Sequence, residues 1–104
     1  MAFKFPKATT PQEVALRLNR GEKLYMLDVR EPEEWAAGHL EGAKHIPLGQ
    51  LTGRLHELDK SKEIIVICRS GNRSGLACEL LSEKGFDVVN MTGGMNNWND
   101  VVES

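Results

Sequence analysis

No stretch of this 104-residue chain approaches the ~18–20 consecutive apolar residues of a membrane-spanning helix. It has no basic run longer than two residues, and its formal net charge is −2. No nucleic-acid or membrane partner is therefore expected. Residues 1–7 hold no apolar core of signal-peptide length, which predicts that the protein is not exported. Cysteine is scarce: Cys68 and Cys78 are too few for a disulfide framework, and a reducing cytoplasm is the expected compartment. His39, His45 and His56 lack the spacing of a zinc site, so no metal and no other cofactor is expected. Repeats, low-complexity segments and linkers are also missing. What remains is an ordinary globular composition, 40% apolar and 27% charged, of a length that fits one domain over residues 1–104.

Periodicity orders the rest. Thr10 and Pro11 open a helix with Glu13 in its first turn, and Val14, Ala15 and Leu18 form its apolar face. Leu24 to Val29 reads as a strand, with Asp28 and Arg30 at its C-terminal end. An acidic helix begins at Glu31-Pro32 and stops near Gly38. Ala43 to Ile46 is a candidate short strand, and Leu51, Leu55 and Leu58 predict a further helix. The β-branched run Ile64-Ile65-Val66-Ile67 reads as a buried strand. A helix over 73–84 follows, its stripe drawn through Leu76, Ala77, Leu80 and Leu81, with Gly85 as its stop. Val88 to Met91 is the last strand, followed by a short helix around Asn97-Trp98. Strands alternating with helices imply a mostly parallel sheet with helices on both faces. Asp28, Cys68 and Met91 then lie at strand ends that point the same way.

Between the buried strand and its helix lie Cys68-Arg69-Ser70-Gly71-Asn72-Arg73-Ser74. In open parallel sheets this edge binds ligands. A helix N-terminus presents free N–H groups and the positive end of the dipole, and both favour a thiolate, as do Arg69 and Arg73. The position suits a nucleophilic sulfur and a bound anion. Gly71 permits a tight turn, and Ser70 or Asn72 is the expected helix cap. Arg69 and Arg73 are read as attractors of anionic donors, with a tie to a carboxylate such as Asp28 as the competing role. Asp28 and Arg30 are expected to hold the strand-end loops together rather than touch substrate. Trp35 and Trp98 are expected to pack over the sheet edge. Cys78 falls off the leucine stripe, so partial exposure and a spectator role are expected. A disulfide to Cys68 would need local unfolding, because six helical positions span ~9 Å against a limit of ~7 Å.

The chain resembles the rhodanese-like sulfurtransferase family in its single-domain form. The residues that carry the likeness are Leu27-Asp28-Val29-Arg30, Trp35 with Gly38-His39-Leu40-Glu41-Gly42-Ala43, His45-Ile46-Pro47, the Cys68–Ser74 loop, Gly85-Phe86, Val89, Gly93-Gly94 and Trp98. The resemblance implies a five-stranded parallel sheet flanked by helices. It also implies a persulfide carried on Cys68, surrounded by the backbone N–H groups of residues 69–73. Its implied partners are a small-molecule sulfur donor, thiosulfate or a thiol persulfide, and a cyanide or thiol acceptor, with a sulfur-accepting protein as a further candidate. Two-domain thiosulfate-specific members often carry a basic residue just before the aromatic that matches Trp35. Here Glu34 stands there, which predicts a preference for a thiol persulfide.

Two other readings share the motif. Cysteine phosphatases and arsenate reductases also place a cysteine in an anion loop, but with five residues between Cys and Arg. Only four separate Cys68 from Arg73, and Ile67 stands where those enzymes have histidine. A shorter loop suits one sulfur atom better than a tetrahedral oxyanion. The third reading is a non-catalytic sulfur-carrier or regulatory module.

Overall fold

A computed structural model describes residues 7–99 and Val102. Five strands form one parallel sheet: β1 (Lys7–Thr9), β2 (Tyr25–Asp28), β3 (Lys44–His45), β4 (Glu63–Ile67) and β5 (Asp87–Met91). Their order is β1-β5-β4-β2-β3, and every pairing is parallel. The long apolar strands β2, β4 and β5 sit together at the centre. The short, polar β1 and β3 take the edges, where unpaired backbone groups meet water. Sequence patterning did not pick out β1, whose three residues are too few to show alternation.

Side-chain alternation divides the core in two. Leu27, Ile64, Val66, Cys68 and Val88 face one side, packed with Ala77, Cys78 and Leu81 of helix α3 (Asn72–Glu83). Met26, Ile65, Ile67, Val89 and Met91 face the other, packed with Val14 of helix α1 (Pro11–Asn19) and with Leu40. Helix α1 starts as its sequence requires: Pro11 fills the first turn, and Thr10 Oγ1 accepts the Glu13 N–H at 3.2 Å. Helix α3 ends on Gly85 at φ +90°. There Phe86 N–H returns to the Leu81 carbonyl at 3.0 Å and Gly85 N–H to that of Ser82 at 3.1 Å.

Two expectations fail for physical reasons. The helix expected through Leu51, Leu55 and Leu58 is a pair of 3-10 turns, Leu48–Gly53 and Leu55–Glu57, closed by i→i−3 bonds. Gly49 and Gly53 cost the α-form about 1 kcal/mol each, and the leucines reach the core from the tighter turns. The stripe of α3 is also rotated from the one drawn through its leucines. Ser74, Ala77, Cys78 and Leu81 are buried at i, i+3, i+4 and i+7, while Leu76 is 59% exposed. Small side chains let α3 approach the sheet closely. Cys78 is consequently buried, not partly exposed.

No helix among the described residues is long and apolar enough to cross a membrane. The parallel strands end together, so the loops after β2, β4 and β5 share one edge. Helix α2 (Pro32–Ala37), with no buried residue, follows β2 at that edge.

Candidate active site

The chain leaves β4 at Ile67 and reaches α3 in four residues, which places Cys68 under the first turn of the helix. Gly71 makes this possible with φ +100°, and an added Cβ would lie 3.1 Å from Gly93 N. Neither Ser70 nor Asn72 caps α3; Gly71 holds the cap position and no side chain there accepts a bond. The sulfur takes that part. Gly71 N–H donates to Cys68 Sγ at 2.9 Å, and the N–H groups of Ser74 and Ser70 also bond to it. An anion on the sulfur would thus meet the donors that a helix start leaves unpaired.

Burial of the fully enclosed Cys68 pushes its thiol up. The Ser74 hydroxyl and the N–H groups of Ser74, Gly71 and Ser70 outweigh that, and the net shift is below the ordinary 9.0. Cys78 lies inside α3 without such donors. Burial, and secondarily the charge of Cys68, push it up to about 12. Both thiols are free.

The loop is clamped from the turn that follows β5. Met95 N–H donates to the Cys68 carbonyl and Asn96 N–H to the Arg69 carbonyl, both at 2.8 Å. This requires the Gly93-Gly94 turn to pass under the loop. A Cβ on Gly94 would lie 2.3 Å from the Cys68 carbonyl oxygen and 2.6 Å from the Arg69 carbonyl carbon.

The two loop arginines differ. Arg69 is exposed and pairs with no carboxylate among the described residues. Arg73 is bound on both terminal nitrogens by Glu34 of α2, at 2.6 and 2.8 Å. Glu34 also accepts the Glu31 N–H at 3.0 Å, and the Arg73 contact holds its carboxyl down at about 2. The carboxylate on Arg73 is thus Glu34, not Asp28. Asp28 belongs to Arg30: both are buried, joined by several bonds of 2.8–3.0 Å, and Arg30 also donates to the Gly38 carbonyl at 2.8 Å. That pair ties the end of β2 to the end of α2. Trp35 stacks on His39 and His45 with centroids 3.6 and 4.7 Å apart, next to the same loops. Among the described residues no three His, Cys, Asp or Glu side chains form a metal-binding group.

A family model described as "Rhodanese-like domain" matches residues 10–101. The chain belongs to the rhodanese-like domain family. YtwF of Bacillus subtilis (strain 168) is 46% identical over 82 residues, which cover 79% of this chain and 80% of that protein. Thiosulfate sulfurtransferase GlpE of Pseudomonas putida is 35% identical over 89 residues, covering 85% of this chain and 81% of that one. The crystal structure of a rhodanese-like domain protein from Staphylococcus aureus superposes with a TM-score of 0.88 at 34% identity, covering 93% and 96% of the two chains. The five-stranded parallel sheet implied by the rhodanese resemblance is present.

Around this rhodanese-like loop the sequence reading missed three contributors. Asn90 Oδ1 accepts a short hydrogen bond from the Ser74 hydroxyl, and Asn90 Nδ2 donates to the Gly71 carbonyl at 3.3 Å. Its only signal was a polar residue inside the apolar run Val88 to Met91. The partnership of Glu34 with Arg73 spans 39 residues and has no local signature. The clamp by Met95 and Asn96 is backbone chemistry, visible in sequence only as the Gly93-Gly94 pair.

Proposed function

We propose that this protein is a sulfurtransferase that carries sulfane sulfur as a persulfide on Cys68. The observation that carries the reading is the set of backbone N–H groups, with the Ser74 hydroxyl, gathered on one enclosed sulfur. In the first half-reaction the Cys68 thiolate attacks the outer sulfur of the donor. The donor S–S bond breaks, and its electron pair leaves with sulfite or with a thiolate. In the second, cyanide or an acceptor thiolate attacks the outer sulfur of the Cys68 persulfide, and Cys68 departs as thiolate. Charge and atoms balance without a redox step or a general base. Both the thiolate and the persulfide are anions, and the same N–H donors favour each.

Arg69 is the cation that draws an anionic donor to the mouth of the loop. Arg73 is neutralised by Glu34. A dianion such as thiosulfate therefore meets less positive charge than the two loop arginines imply, and a thiol persulfide is the preferred donor. The Arg73–Glu34 pairing also disfavours phosphatase chemistry, because both terminal guanidinium nitrogens are occupied. A reducing compartment is proposed, since oxidation of Cys68 would end turnover.

The test is intact mass after exposure to a donor, in the Cys78→Ser background. Gain of one sulfur atom, discharged by cyanide or thiol, is the expected result. A protein that never gains sulfur from thiosulfate or from a persulfide overturns the reading. Loading without turnover makes it a carrier.

A further inference from the structure

Cys68 stands in a closed ring of hydrogen bonds that joins the β4–α3 loop, helix α3 and strand β5. The thiol donates to Ser74 Oγ at 3.3 Å. The Ser74 hydroxyl donates to Asn90 Oδ1. Asn90 Nδ2 donates to the Gly71 carbonyl at 3.3 Å, and Gly71 N–H returns to Cys68 Sγ at 2.9 Å. The fold dictates the placement: Asn90 pairs with Val66 in register, so it lies on the α3 face of the sheet, the face that Cys68 takes two residues after Val66, just past the end of β4.

A hydroxyl has one proton to donate. While Cys68 is a thiol, Ser74 accepts from sulfur and gives its proton to Asn90. Once the thiol proton is lost, the sulfur can only accept, and the same hydroxyl must turn from Asn90 to sulfur to stabilise the charge. Asn90 is then left without that donor. The orientation of the Asn90 amide is fixed, because Nδ2 is held by the Gly71 carbonyl and only Oδ1 can face Ser74.

We propose that Asn90 is a positioning residue that competes with the Cys68 sulfur for the single proton of the Ser74 hydroxyl. It holds the resting thiol form and sets how readily the hydroxyl turns to a thiolate or persulfide. The proposal rests on Cys68 being the reactive thiol and needs no particular sulfur donor.

The charged and titratable groups around this sulfur are Arg69 of the loop, Arg73 and Cys78 of α3, Glu34 of α2 on Arg73, and the Asp28–Arg30 pair at the end of the neighbouring β2. All stay unchanged in the decisive variants, so they produce no difference between them.

The experiment is the pH profile of Cys68 alkylation by iodoacetamide, for Asn90→Leu, Ser74→Ala and the double variant. Leucine is close to asparagine in size and offers no acceptor. Removing the competitor should lower the alkylation midpoint and raise the ionisation constant about three- to tenfold, the range of one hydrogen bond. Ser74→Ala should raise the midpoint. In the Ser74→Ala background Asn90→Leu should leave it unmoved, because no hydroxyl remains to be released. If Asn90→Leu does not fold, Asn90→Ala runs the same cycle. An unchanged or raised midpoint in the single Asn90 variant overturns the proposal, as does an equal fall with and without the Ser74 hydroxyl. The readout is alkylation, so a failure to transfer sulfur leaves this result standing, and the reverse also holds.

Discussion

The two cysteines are ten positions apart, equally enclosed, and opposite in character. Burial raises both thiols, and for Cys78 nothing opposes it. For Cys68 the fold spends the first turn of a helix, a serine hydroxyl and a glycine turn on reversing that effect. Enclosure in this protein is therefore not what activates sulfur; directed N–H groups do. The lesson extends to the arginines. The guanidinium nearest in sequence to the helix start, Arg73, is tied up by Glu34, so much of the local positive character comes from backbone.

The largest expected effect breaks the comparison outright. Cys68→Ser should reduce sulfur transfer to background with the fold intact by circular dichroism, while Cys78→Ser keeps it. Transfer that survives loss of Cys68 and vanishes with Cys78 would reverse the two assignments. Next is Gly94→Ala, which spoils one thiol's surroundings and not the other's. Its Cβ meets backbone, so relief requires the clamp on Cys68 and Arg69 to shift, at a cost of about 3 kcal/mol. A Tm drop of several degrees with loss of fast Cys68 alkylation is expected; wild-type values for both would show that the turn has room.

Smaller effects sharpen the contrast. In native protein Cys68 should alkylate with a midpoint below the ordinary thiol value, and Cys78 only on unfolding, which mass mapping of labelled peptides reads directly. Equal labelling would remove the distinction. Glu34→Arg should improve thiosulfate use, mainly through KM, because it frees Arg73 and adds a second cation. Added salt should shrink the gain. Unchanged thiosulfate kinetics would separate Glu34 from donor choice.

The least effect concerns acid stability. Glu34 titrates at about 2 in the folded protein, against an ordinary 4.5. A lowered folded value means stability fully present above the unfolded value and lost as pH falls through the folded one, so the contribution fades between pH 4.5 and about 2. Being partly exposed, the pair contributes little. Acid unfolding of Glu34→Gln should differ slightly from wild type near neutrality and converge with it at the bottom of that window. A difference that persists at the lowest pH would assign the effect to something other than this carboxylate.

Much of this was legible because its cause is local. Ile64 to Ile67, the cysteine loop and Gly85 each follow from neighbouring residues, and so do the Thr10–Glu13 cap and the strand-end position of Asp28. What was hidden depends on contacts between distant segments. Leu76 and Leu80 outweighed Ser74 and Cys78 in drawing the stripe of α3, yet close packing on a sheet selects small side chains. Ser70 and Asn72 looked like caps, because a sulfur four positions before the helix is not a usual cap acceptor. Glu34 was read as a bare carboxylate, and Asn90 as part of a strand, since their partners lie 39 and 16 positions away.

The tie between the Gly93–Asn96 turn and the cysteine loop has a consequence in time. During synthesis Cys68 emerges well before Met95 and Asn96, whose N–H groups lock the Cys68 and Arg69 carbonyls. Until β5 has paired with β4, the Cys68 and Arg69 carbonyls have no such partners. The clamp therefore comes later along the chain than the loop it holds. The surroundings of Cys68 are thus completed by the segment of chain that follows β5, not by the cysteine loop alone.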